Sequence, residues 1–258
     1  MIEVALLSIL QGVAEFLPIS SSGHLVIGQH FLGMNQPGMR LDLMLHVGTL
    51  LSIFVFYGRA IWTILRGGDW CFVLKILLSA LPAVVVYFLF RTEIEGLFEN
   101  ARMVGALLMF TGAVLIGTRY LPRGTREVSW SRAILMGLGQ ALALLPGVSR
   151  SGMTLVAARG GRVDPEKSAE FSFLMSAPLI LGGVLLETFR DLFAGAGSEL
   201  LAQAAGQVSW GLCAFGAIIS AVVGYFSLKL LVRVLKGRWF WLFGPYCLAA
   251  GLLTLILI

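Results

Sequence analysis

The sequence predicts an all-α polytopic membrane protein: six transmembrane helices and two re-entrant helical hairpins, arranged as an inverted repeat. Three observations carry this expectation. Of 258 residues, 58% are apolar and only 13% charged, with a mean hydropathy of +0.89, a balance found in chains that cross a bilayer many times. Two proline-broken segments recur at an offset of 129 residues. The basic residues fall on one side of the topology that these segments imply. No polar stretch is long enough to fold separately, so residues 1–258 read as a single membrane domain, with 1–121 as the first repeat and 130–258 as the second.

Residues 1–32 open with an apolar arm, break at Pro18 and continue as a second short arm; residues 130–160 do the same around Pro146. Polar breaks at membrane depth are tolerated only where protein or a wet cavity surrounds them, so each region reads as a hairpin that returns to its own side. Six other segments are long and apolar enough to span: 41–65, 71–90, 102–121, 168–189, 208–232 and 239–258. The loops after the first, third and fifth spans define one side. It collects Arg59, Arg66, Lys75, Arg119, Arg123, Arg126, Arg132, Arg159, Arg162, Lys167, Lys229, Arg233, Lys236 and Arg238. The other side holds only Arg40, Arg91, Arg102 and Arg190. Fourteen against four marks the first side as cytoplasmic and sends both termini outward, to the periplasmic face. Glu3, Asp42, Glu93, Glu95, Glu99, Glu187, Asp191 and Glu199 favour the outer side.

Two charges, Glu15 and Arg150, belong to neither face, and each sits in one of the broken hairpins. Three spans separate the hairpins; that number is odd, so the second half is expected to be inverted and the two tips to meet inside the membrane. A fainter echo at the same offset lays Leu41–Leu50 over Glu170–Leu179. Glu3 in place of a basic cluster argues against a cleaved signal peptide. Cys71, Cys213 and Cys247 lie in apolar runs without paired spacing and read as buried small hydrophobes. The basic residues are scattered over short loops rather than gathered on one face, which excludes a nucleic-acid-binding module. Faces of small residues such as Gly105, Gly112, Gly216 and Gly224 read as helix-packing contacts and permit a homodimer.

The chemistry concentrates at the breaks. Gln11-Gly-Val-Ala-Glu15-Phe-Leu-Pro18-Ile-Ser20-Ser21-Ser22-Gly23-His24 lies without a gap over Gln140-Ala-Leu-Ala-Leu-Leu-Pro146-Gly147-Val-Ser149-Arg150-Ser151-Gly152-Met153. Proline stops each incoming helix, and the following serines are good N-caps for the outgoing ones. A fresh helix N-terminus presents unpaired N–H groups and the positive end of a dipole, which suits phosphate. Two of them facing each other could hold a diphosphate, with hydroxyls from Ser20, Ser22, Ser149, Ser151 and Thr154. Ser21 and His24, three apart on the first helical turn, could pair as nucleophile and acid/base. Glu15 carries an insertion cost of at least ~2–3 kcal/mol, so a carboxylate kept there invites a role: ligand to Mg²⁺ or Ca²⁺, partner of His24, base, or ion-pair partner of Arg150. Gln11, one turn earlier, would add an amide to such a metal site, with phosphate oxygens completing the shell. Arg150 stands where the first repeat has Ser21 and can grip phosphate with two parallel hydrogen bonds. His46, Glu170 and Ser172 are assigned supporting roles.

The stretch from Gln11 to Leu25 resembles the first signature of the undecaprenyl-diphosphate phosphatases, the bacitracin-resistance family, and Pro146 to Thr154 resembles the second; Glu170-Phe-Ser172-Phe is similar to a further family stretch. The resemblance implies a multi-pass enzyme of the bacterial inner membrane. It would remove the terminal phosphate of a C55 isoprenyl diphosphate lipid and so recycle the carrier for cell-wall assembly. It also implies Ser21 as nucleophile, His24 in acid/base duty, Glu15 near a divalent cation and Arg150 on the diphosphate. Broken helices in inverted repeats also describe carriers, so the alternative is a transporter or flippase of lipid phosphates using the same pocket.

Overall fold

The computed structural model describes residues 1–33, 39–98, 100–194 and 208–258, and these are all-helical. Glu99 and Glu199 from the charge count lie outside the described residues, as do the side chains of Arg40, Glu187, Arg190 and Asp191.

Both broken regions fold as helix–turn–helix. The first comprises α1 (Ile2–Ala14) and α2 (Ser21–Phe31); the second comprises α8 (Trp130–Leu142) and α9 (Arg150–Gly160). Between them run α3 (Met39–Phe56), α4 (Gly58–Gly67), α5 (Trp70–Leu89), α6 (Arg91–Leu97) and α7 (Ala101–Gly117). After them come α10 (Pro165–Leu174), α11 (Ala177–Ala194), α12 (Trp210–Lys236) and α13 (Phe243–Leu257). Local chemistry sets several of the starts. Asp69, Asn100 and Asp164 each accept a hydrogen bond from a backbone N–H of the first turn, and Pro165 takes the first helical position of α10, where no donor is needed.

Among the described residues, five helices are long and apolar enough to cross a bilayer: Trp70–Leu89, Ala101–Tyr120, Pro165–Leu186, Trp210–Lys236 and Phe240–Leu257. The expected first span, 41–65, is not one straight helix, because α3 and α4 meet at a 67° bend. Residues 41–56 reach only about 24 Å at 1.5 Å per residue, short of a ~30 Å hydrocarbon core. Beyond Tyr57 the chain turns aside as an amphipathic segment between Arg59 and Arg66, with Ala60, Ile61 and Ile64 packed on the core and Trp62 and Leu65 exposed. The fourth expected span, 168–189, overlaps the spanning segment Pro165–Leu186, which carries a two-residue turn at Met175–Ser176 just before Pro178.

Polarity is distributed inside out. Leu74, Leu77, Leu81, Val85 and Phe88 of α5 and Ile218, Val222 and Phe226 of α12 are exposed, while Ser8, Gln11, Ser79, Thr111, Ser172 and Ser220 are buried. That arrangement suits lipid outside and hydrogen-bonded contacts within. Cys213 and Cys247 are buried as expected, but Cys71 is exposed: it starts α5 on that helix's outward apolar side.

Helix packing links the two halves. α1 lies against α12 and α8 against α5, while α7 pairs with α13. The α7–α13 seam is closed by glycines: a Cβ on Gly112 would lie 2.7 Å from the Gly244 carbonyl oxygen, and one on Gly251 would lie 2.5 Å from that of Gly105. Gly216 and Gly224 likewise face Ser8 and Ser52 within the chain. Gly105, Gly112, Gly216 and Gly224 are thus the helix-packing contacts expected of them. Gly112→Val is expected to overpack the α7–α13 seam and cost about 1–3 kcal/mol, read as a lower melting temperature of the purified protein in detergent; an unchanged melting temperature would refute the tight seam.

Candidate functional site

The tips of the two hairpins touch. At the first, α1 ends in a turn through Pro18, and Ser20 takes φ 69°, an uncommon value for a residue with a side chain. Its hydroxyl then accepts from Gly23 N at 3.3 Å and caps α2. At the second, Gly147 has φ 94°, and a Cβ there would sit 2.4 Å from the Val104 carbonyl oxygen, so only glycine fits. Ser149 caps α9 by accepting from Gly152 N at 3.1 Å. Thr111 of α7 secures this turn, donating to the Gly147 carbonyl at 2.9 Å and accepting from Ser149 N at 3.2 Å. Ser151 donates to the Leu17 carbonyl at 3.1 Å, joining tip to tip. Nothing in the sequence marked Thr111 for this task.

Glu15 is the hub. Arg150 Nη2 donates to its Oε1 at 2.5 Å, Ser21 Oγ donates to its Oε2 at 2.6 Å, and Gln11 Nε2 donates to Oε2 at 3.1 Å. His46 of α3 brings Nε2 to 3.7 Å from Oε2. The Nδ1 of His46 lies 2.7 Å from the Asp42 carbonyl; a carbonyl can only accept, so Nδ1 carries the proton and Nε2 faces the carboxylate. The Arg150 guanidinium also rests 5.4 Å over the Phe173 ring. Glu15, Ser21, Ser22, His46, Gln140 and Arg150 contribute to the wall of one open cleft of about 310 Å³, with apolar side chains such as Leu179 and Ile180 completing it.

Among the residues singled out from sequence, Gln11, Glu15, Ser21 and Arg150 therefore come together, with Ser22 on the cleft wall. Ser20, Ser149, Ser151 and Thr154 do not line the cleft. They are buried behind it, capping helices or bonding backbone, and Thr154 also shares a 2.6 Å hydrogen bond with Ser172. The reason is local: a serine or threonine at a helix start satisfies nearby backbone before it can reach outward.

His24 departs from its expected pairing with Ser21. Its Nδ1 donates to the Ser20 carbonyl at 2.9 Å, and its Nε2 accepts from the hydroxyl of Tyr246 in α13 at 2.8 Å. The two rings stack at 5.6 Å with 10° between their planes. Both ring nitrogens are engaged away from Ser21. His46, assigned a supporting role from sequence, is the imidazole that lines the cleft, and the only hint of it was its place in the echo of the repeat.

For a hard divalent cation the donors on offer are the Glu15 carboxylate and Gln11 Oε1, a buried oxygen with no partner among the described residues. No group of three or more His, Cys, Asp or Glu suited to a metal occurs among the described residues. Two protein oxygens fit Mg²⁺ or Ca²⁺ only when phosphate oxygens and water supply the rest of a six- to eight-oxygen shell.

Residues 4–253 match the family described as bacitracin resistance protein BacA. An undecaprenyl-diphosphatase of Desulfatibacillum aliphaticivorans is 35% identical over 99% of this chain and 98% of its own length. Undecaprenyl-diphosphatase 4 of Bacillus thuringiensis subsp. konkukian is 34% identical, covering 99% of this chain and 96% of its own. The undecaprenyl-diphosphatase of Halothermothrix orenii is also 34% identical, over 99% and 97%.

The Glu15–Arg150 pair bridges the two hairpins, so its loss has a structural signature. Breaking one half of a buried pair leaves an uncompensated charge, a cost of about 3–5 kcal/mol, while removing both leaves none. Arg150→Met is therefore expected to destabilise the protein by about that amount, and Glu15→Gln combined with Arg150→Met to recover most of it. Denaturation of the single and double variants in detergent checks this; a double variant as unstable as the single would refute it.

Proposed function

The chain belongs to the bacitracin-resistance family BacA, and from that premise we propose that it hydrolyses undecaprenyl diphosphate to undecaprenyl phosphate and inorganic phosphate. It is a multi-pass membrane enzyme, a phosphoric anhydride hydrolase, and its product is the lipid carrier used again in cell-wall synthesis. The observation that carries the reading is the cluster of Ser21, Glu15 and Arg150 on one cleft at the junction of the two signature stretches. No observation favours the transporter reading over hydrolysis.

The mechanism follows from the hub. Ser21 Oγ already donates to Glu15 Oε2 at 2.6 Å, so the carboxylate is placed to take the hydroxyl proton as the oxygen attacks the terminal phosphorus. The phosphoanhydride bond to the lipid monophosphate breaks, and the electron pair leaves with the lipid phosphate. A serine phosphate remains, and water then releases inorganic phosphate. Arg150 holds one amino group on Glu15 and has Nη1 buried and unpartnered among the described residues, so it can reach a phosphate oxygen without giving up the first contact. When bound, Mg²⁺ or Ca²⁺ would be held by Glu15 and Gln11 Oε1 and would offset phosphate charge. Water attacking directly, with Glu15 as base, is the competing course.

Two features support placing the loops after the odd-numbered spans on one face, in the cytoplasm, with the termini in the periplasm. Arg119, Arg123, Arg159 and Arg238 surround a single hollow. Lys167 pairs with Glu127, and Lys236 with Glu166. The apolar outer surface supports contact with membrane lipid, and the family supports the bacterial inner membrane as the site.

Ser21→Ala is expected to lower phosphate release from a C55 diphosphate by about 10³-fold or more, and quenched wild-type turnover to yield a phosphoserine at position 21. Near-normal turnover by Ser21→Ala would remove covalent catalysis and leave direct water attack. His46→Ala is expected to lower kcat by about 10²-fold. Tyr246→Phe separates two roles for His24. If the ring only anchors the tip, the variant loses melting temperature and part of its turnover; if the ring moves a proton, kcat in Tyr246→Phe stays near wild type while His24→Ala loses it. Chelation is expected to suppress turnover of the wild type reversibly, and full activity in chelator would remove the cation from the scheme.

A further inference from the structure

Gln140 is 2% exposed, yet neither its amide oxygen nor its amide nitrogen has a hydrogen-bond partner among the described residues. A buried amide without partners is costly and rare in a native fold, and it calls for a ligand. This one lies on the wall of the cleft that holds Glu15, Ser21 and Arg150.

The repeat explains why it is alone. Gln140 is the counterpart of Gln11 at the offset of 129 residues, and Gln11 donates to Glu15 one turn further along α1. One turn beyond Gln140 the second half has Leu144, so the same amide has no carboxylate to hold. Arg150, on the same cleft, has its Nη1 buried and likewise without a partner among the described residues. Two donors of one cleft, one charged and one neutral, thus await the same kind of acceptor.

We propose that Gln140 is a substrate-positioning contact: its Nε2 donates to a phosphate oxygen of the diphosphate held by Arg150. The substrate supplies, in the second half, the oxyanion that Glu15 supplies in the first. A neutral amide suits this place, since a second cation beside Arg150 would be repelled when the cleft is empty. The proposal rests on reading the cleft as a diphosphate site.

The test combines stability and affinity in Gln140→Leu, which keeps the bulk and removes both polar atoms; Gln140→Met serves if that variant does not fold. Melting temperature without ligand is expected to equal or exceed that of the wild type, because an unsatisfied buried group is gone. KM for the C55 diphosphate is expected to rise about tenfold, and the thermal shift produced by inorganic diphosphate to shrink. Gln140→Glu is expected to raise KM further, by placing a carboxylate against the phosphate. Wild-type KM and thermal shift in Gln140→Leu would overturn the proposal, assigning the amide to bound water alone. A lower melting temperature with unchanged KM would also overturn it, making Gln140 structural. A wild type that releases no phosphate from the lipid, yet shows a diphosphate shift dependent on Gln140, would end the hydrolase reading and leave the contact standing.

Discussion

One ion pair organises this protein. Glu15 and Arg150 stand 135 residues apart in sequence, each at the break of a hairpin, and their 2.5 Å contact joins the two tips. Neither charge would be tolerable alone at such depth. Their joining makes everything nearby possible: the paired carboxylate also accepts from Ser21, and the guanidinium, resting over Phe173, keeps Nη1 without a partner among the described residues. The cost of keeping two charges inside a membrane protein is offset by their pairing, and the surplus donor and acceptor capacity is what a phosphate ester can use.

The scaffold that brings them together is made of small residues and backbone. Gly147 lets the second tip turn under Val104, Ser20 and Ser149 cap the outgoing helices, and Thr111 ties the second turn to α7. These groups are engaged with backbone, and they hold Glu15, Ser21 and Arg150 to one geometry. That division explains why, of the serines at the two tips, Ser21 and Ser22 line the cleft while Ser20, Ser149 and Ser151 do not.

Much of this was legible in the sequence, and the reasons are physical. Proline and serine punctuate the chain locally, so the breaks and the following helix starts could be placed from composition alone. The meeting of the two tips was expected from two stranded charges and an odd number of intervening spans, with a Glu15–Arg150 ion pair as one of several roles open to the carboxylate. The partner of His24 was not legible: Tyr246 lies 222 residues away, and which way an imidazole turns depends on tertiary neighbours. The direction of His46 was hidden for the same reason. The bend after Phe56 escaped because hydropathy averages over a window, whereas a change of axis at Tyr57 depends on a few torsions. The serines were read both as helix caps and as phosphate donors, and Ser20 and Ser149 do cap α2 and α9.

The bond from His24 to Tyr246 has a partner beside it, since Cys247 Sγ lies 3.6 Å from the Pro18 carbonyl oxygen. The final helix of the chain is thereby moored to the first turn. Its last 15 helical residues, Phe243–Leu257, are part of the wall behind the reaction centre rather than a dispensable tail. Splitting the polypeptide upstream of Phe243 would therefore unseat a loop whose His24 lies 222 residues before its anchor Tyr246.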